Sequence, residues 1–225
     1  MRVLLAACAL VVAQGAHDLA SLERAVAADP ENLHAAAEYR LQSIAAADFD
    51  RPIVFLEKLA KRKDAGPNVQ ISLALAYVDK VPASGDIRRL YLGRDAINAL
   101  DKAIERQPTV LAFYVRGQIN LYYNNFIFKR IPRGIEDLTR ALTLVTPQTL
   151  PALVARVHTS IGDGYWRLED RAKAVEVWRT AAATFPDDAE LKRRLDPDAG
   201  RVRWVVSDAL NASTRLDTTL RGLVP

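Results

Sequence analysis

From His17 onward, apolar side chains recur every three or four positions, and Pro, Gly or Asp-Pro interrupts them at intervals. Leu19, Leu22, Ala25 and Val26 form a first stripe, closed by Asp29-Pro30. Leu33, Ala36, Ala37, the run Tyr39 to Leu41 and Ile44 form a second. Ile53, Phe55, Leu56, Leu59 and Ala60 form a third, which ends at Asp64-Ala65-Gly66-Pro67. Val69, Leu73, Ala76, Tyr77 and Val78 predict a fourth helix, and the breaker run Val81 to Asp86 ends it. Further helices are predicted over about Ile87 to Arg106, Thr109 to Tyr123, Arg133 to Thr143, Ala152 to Arg167 and Asp170 to Thr184. Asp187 is placed to cap a short helix through Leu195. No segment shows the period-two alternation of a half-buried strand, so the chain reads as all-α.

After the break at Asp196 to Gly200, Val202, Val205, Val206, Ala209 and Leu210 return to helical spacing, with Trp204 off the stripe. This predicts a terminal helix to about Ala212 that covers the apolar end of the structure. A mostly extended tail is expected to follow it.

The sharpest local pattern lies between Ile161 and Pro186. Gly162 stands 24 residues before Pro186, Tyr165 21, Ala174 12, Trp178 8 and Ala181 5. Ala174, Trp178 and Ala181 share one helix face. Small residues at Gly162 and Ala174 allow the two helices to approach closely. These residue types at these spacings resemble the tetratricopeptide repeat (TPR), a helical hairpin of about 34 residues. His158 departs from it, since the family usually has a large aromatic there, and packing is the expected role.

The same register recurs before Pro108 with Ala96, Leu100 and Ala103, preceded by Leu73, Ala74 and Tyr77. Nineteen residues separate Tyr77 from Ala96 where nine separate Tyr165 from Ala174, an insertion of ten around Val81 to Tyr91. Gly117 matches Gly162, and Gly134, Leu138 and Ala141 match Ala174, Trp178 and Ala181. The helix-to-helix spacing is 17 there instead of 12, an insertion of five. The unit from Glu31 to Pro67 is degenerate, and Leu22, Ala25 and Pro30 resemble the end of a partial repeat. The resemblance implies a right-handed superhelical stack of three to four hairpins with a C-terminal capping helix, binding a protein or peptide in its concave face.

Composition changes this picture little. Half of the 225 residues are hydrophobic and the net charge is +4, too small for this length to indicate nucleic acid. The chain's start matters more. Arg2 precedes an apolar run from Val3 to Ala13, and Ala13 and Gly15 suit a leader-peptidase cut before Ala16. The expected plan is a signal peptide over 1–15, a repeat domain over 16–200, and a capping helix and tail over 201–225. The protein is then exported to the bacterial periplasm, with no membrane span in its mature chain. Leu5-Ala6-Ala7-Cys8 resembles a lipobox, but only seven residues precede Cys8, so a lipid anchor there is not expected. Cys8 is the only cysteine, so the mature chain can form no disulfide.

Candidate chemistry points to binding. His17, His34 and His158 are far apart and in no metal-ligand spacing. No nucleophile elbow, phosphate loop, HExxH or dinucleotide loop occurs. Neither catalysis nor a cofactor is expected. Six aromatics crowd Phe113 to Arg133: Phe113, Tyr114, Tyr122, Tyr123, Phe126 and Phe128, followed by Lys129, Arg130 and Arg133. Insertions in repeats map to loops on one face, often the binding face, and Tyr and Arg anchor interfaces. Tyr114, Tyr122, Tyr123, Phe126, Phe128, Lys129 and Arg130 are therefore the first candidate partner-binding set, with a local mini-core as the alternative. Arg88 and Arg89, with Tyr91 and Arg94, are the second, with solvated helix surface as the alternative. The expected function is a non-catalytic adaptor. A solute-binding accessory subunit, closed by the aromatic insertion, and a helical-repeat cell-wall hydrolase are the other readings.

Overall fold

Proline and short polar side chains set where the helices begin. A computed structural model describes residues 19–122, 129–209 and 217–225. Helix α1 covers residues 19–28. It is followed by α2 (Leu33–Ala45), α3 (Asp50–Ala60), α4 (Pro67–Lys80), α5 (Asp86–Arg106), α6 (Val110–Tyr122), α7 (Ile131–Leu142), α8 (Pro151–Arg167), α9 (Arg171–Thr184), α10 (Ala189–Arg194) and α11 (Ala199–Ala209). Pro67, Pro132 and Pro151 sit in first turns, where a missing N–H breaks no helical bond. Asn32 and Asp170 accept from the backbone amides of Ala35 and Lys173. The short helix α10 is capped by Asp188, not by Asp187 as expected. Asp188 is extended at ψ 115°, and its carboxylate accepts from Leu191 N at 2.9 Å. Asp187 stands one residue too early to reach that amide and pairs with Lys192 instead.

The breaker run after α4 is a single 3-10 turn, Val81–Ala83. The rest of the ten-residue insertion lengthens α5 at its N-terminal end. Ile87, Leu90 and Tyr91 there are exposed, and burial starts at Leu92.

Helices pair as α2–α3, α4–α5, α6–α7 and α8–α9, with α1 ahead of the first hairpin and α10 and α11 behind the last. Each second helix packs on the next hairpin's first helix. Successive first helices, α2, α4, α6 and α8, also touch one another, whereas the second helices make no comparable contact. Spacing the first helices more closely bends the stack and puts them on its concave side.

The close approaches explain the repeat's small residues. A Cβ added at Gly162 would lie 2.1 Å from Trp178 Nε1, so only glycine lets the indole seat against α8. Trp178 is fully buried and donates from Nε1 to Thr159 O at 3.1 Å. Leu138 takes the same place in the preceding hairpin, 2.7 Å from where a Cβ on Gly117 would be. Ala96, Leu100, Ala103, Leu138, Ala141 and Ala174 are likewise sealed in the core.

His158 is half-buried on α8, and burial holds its imidazole below the ordinary value. The unfolded chain therefore takes up a proton that the folded chain resists. Stability falls as pH drops through about 6.5 and stops falling below the depressed folded value. His158→Phe is expected to remove this part of the acid sensitivity, read as a smaller drop in Tm than wild type between about pH 7.5 and pH 5.

At the far end, Val202, Val205 and Val206 of α11 are buried and Trp204 is exposed, as the stripe predicts. Residues 217–225 correct the expected extended tail. Leu220 and Gly222 take positive φ values of 56° and 71°, and Leu223 N donates to Leu220 O at 3.0 Å, closing a turn. Leu220, Leu223 and Val224 join the core. The irregular mix of apolar and polar residues over so short a segment follows neither helical nor strand period, so contact with the stack decides their conformation.

Candidate functional site

The concave side carries two charges that the apolar stripes conceal. Arg40 follows Tyr39 in α2, and Asp79 follows Val78 in α4. Arg40 Nη1 donates to Asp79 Oδ2 at 2.8 Å, with side chains only 2% and 4% exposed. Charges that deep need partners for every lone pair and proton. Here residues 217–225 supply them. Arg40 Nη2 donates to Thr218 O at 2.7 Å, and the Thr218 hydroxyl donates to Asp79 Oδ1 at 2.5 Å. Arg40 Nε remains buried without a partner among the described residues.

The segment crosses the first helices in turn. Asp217 lies within electrostatic reach of Tyr114 on α6. Thr218 sits on the α2–α4 ion pair, and Pro225 O is 2.6 Å from His34 Nε2 near the start of α2. Burial pushes the Tyr114 phenol up to about 12; Asp217 adds to the shift, while Arg156 of α8 opposes it. The concave face thus has a polar floor in the Arg40–Asp79 pair, and residues 217–225 of the chain already lie on it.

The candidates read from the sequence do not form one cluster. Tyr114 is half-buried against the core on α6, within electrostatic reach of Asp217. Tyr122 is half-buried against the core, near Arg167 of α8. Lys129 is exposed with a φ of 48°, a left-handed conformation. Arg130 Nε donates to Asn120 Oδ1 at 2.8 Å. Asn120 in turn donates to Asp137, which Arg116 clamps through Nε and Nη2 at 3.1 and 2.5 Å. Arg130 therefore belongs to a network that fixes α7 against α6. Tyr123, Phe126 and Phe128 lie outside the described residues, as does the pocket that a solute binder would need beneath them. Residues 1–15 lie outside them too.

Arg88 is exposed, whereas Arg89 turns back to donate to Val81 O at 3.2 Å. The Arg94 guanidinium lies 5.0 Å from the Tyr91 ring centroid. Among the described residues, no group of three or more His, Cys, Asp or Glu could hold a metal ion, and no helix is long and apolar enough to cross a membrane. Arg40, Asp79, His34 and Thr218 were missed as site residues. The signal for the first two was a charge set directly against apolar stripe positions.

No family model and no curated protein matches the sequence. Solved structures do match the fold. TTC0263, a thermophilic TPR protein of Thermus thermophilus, is similar with a TM-score of 0.59 and 17% identity, over 84% of this chain and 93% of that one. The chain has the tetratricopeptide-repeat fold. MamA is similar as well, with a TM-score of 0.51 and 19% identity, over 80% of this chain and 92% of that one. Both likenesses concern the fold, of which the concave face described above is one side. The details of this face are its own, since identity at this level carries fold and not ligand.

Proposed function

We propose that this TPR protein is a non-catalytic adaptor that holds a peptide or protein segment across the concave face formed by α2, α4, α6 and α8. The observation that carries the reading is the seating of residues 217–225 on that face, with hydrogen bonds to backbone and side chain alike. We further propose that it works in the bacterial cell envelope, on the leader-like composition of residues 1–15. A fusion of residues 1–18 to a reporter enzyme active only outside the cytoplasm is expected to be active. An inactive fusion, made and stable, contradicts the localisation.

Binding is tested by quantitative capture from envelope extract with matched charge reversals. Arg156 is half-buried on the first helix α8, within electrostatic reach of Tyr114, and Arg179 is exposed on the second helix α9. Arg156→Glu is expected to lower recovery of a specific partner at least tenfold with an unchanged Tm, while Arg179→Glu leaves it at the wild-type level. Recovery lost only with Arg179→Glu contradicts binding at the concave face.

A further inference from the structure

We infer that residues 217–225 are a built-in pseudo-ligand: they occupy the partner groove, and a segment of like chemistry must displace them. The inference rests on the adaptor reading and adds a ligand class and a mode of control. Three observations carry it.

First, the contacts have the form of peptide recognition. The Arg40–Asp79 pair reads one backbone carbonyl and one hydroxyl, both from Thr218. Leu220, Leu223 and Val224 bury their side chains, while Asp217, Arg221 and Gly222 remain exposed. The matching partner is a short segment with Ser or Thr, an aliphatic residue two positions later, and aliphatics again at five and six. Buried ion pairs add little net stability but discriminate strongly, because a ligand without the matching donor and acceptor leaves charges unsatisfied.

Second, the resident segment is an imperfect ligand. Arg40 Nε is buried without a partner among the described residues, so a competitor that brings an acceptor to it gains a charge-assisted hydrogen bond. Leu220 also holds a φ of 56°, which an L side chain adopts only against steric resistance. A competitor with a relaxed backbone avoids that strain.

Third, the segment is tethered. It belongs to the same chain as the groove, so its binding is intramolecular and a free peptide must exceed its effective concentration. It therefore suppresses weak, nonspecific peptides and yields to a specific one.

The test uses the full chain and a fluorescent peptide with the sequence of residues 217–225 as probe, read by anisotropy. Wild type is expected to bind it weakly. Leu220→Asp with Leu223→Asp should expel the resident segment and tighten probe binding at least tenfold, and adding Asp79→Asn should reverse that gain. A folded double variant with no gain overturns the inference. A second measurement on wild type covers a variant that does not fold. Amides of 220–224 are expected to exchange hydrogen at least tenfold faster than those of α4, because the segment opens without global unfolding. Exchange at the α4 rate makes it a permanent part of the core and overturns the inference. In either failure, partner capture that still depends on Arg156 leaves the adaptor reading standing.

Discussion

Trp178→Ala is expected to lower the unfolding free energy by about 3–5 kcal/mol, as for other fully buried aromatics. The indole is completely enclosed between α8 and α9, and its N–H satisfies Thr159 O, which loses that bond in the variant. The neighbours cannot close the gap easily, because Ala174 and Ala181 on the same face are already sealed. Gly162→Ala alone is also destabilising, since its Cβ would lie 2.1 Å from Trp178 Nε1. In the double variant the lost indole makes room for that methyl. The two losses are therefore expected to be non-additive by more than about 1 kcal/mol. Urea unfolding of the four proteins reads the cycle directly. Additive losses contradict the packing assigned to this hairpin.

Arg194→Leu is the second large effect, expected at about 3–5 kcal/mol. Arg194 of α10 grips Asp163 of α8 through Nε and Nη2 at 2.5 and 2.7 Å, with side chains 2% and 5% exposed. Burial works against the guanidinium's charge, but Asp163 and Glu190 outweigh it and hold Arg194 above its ordinary value. Burial holds the Asp163 carboxyl above the usual carboxylate range even with Arg194 in place. Without Arg194 that rise grows. The unfolded chain then gives up the Asp163 proton at lower pH than the folded chain. The variant's stability falls as pH rises from about 4 through the raised folded value, so its deficit is smaller at pH 5 than at pH 8. Asp163→Leu with Arg194→Leu removes the orphaned charge and is expected to recover most of the loss. Thermal melts at both pH values decide this. A deficit independent of pH, or a double variant as unstable as the single one, contradicts it.

The helices were legible because local chemistry sets them. Prolines at first turns, polar caps and three-to-four spacing act within one turn, and the hairpin register is visible in Gly162, Ala174 and Trp178. The matches in the preceding hairpin, Gly117 and Leu138, also meet in the structure. The groove was less legible. Arg40 and Asp79 are 39 residues apart, and their partner Thr218 is 178 residues from Arg40 and 139 from Asp79. No period links such residues, and a tail of mixed apolar and polar positions reads as extended until something folds it. Among the candidate aromatics, the sequence could place Tyr114 on a helix but could not show that residues 217–225 come within electrostatic reach of it. Arg130 looked like an interface anchor because its partner, Asn120, lies on the other side of the insertion.

The central claim is that partners bind on the first-helix side of the stack. Photo-crosslinking in living cells tests it most directly, with a photoreactive amino acid placed singly at His34 or Arg156 on the concave side and at Glu176 or Arg179 on α9. The account predicts a shared adduct from the first two positions and none from the last two. Adducts from Glu176 and Arg179, with none from His34 or Arg156, would contradict it.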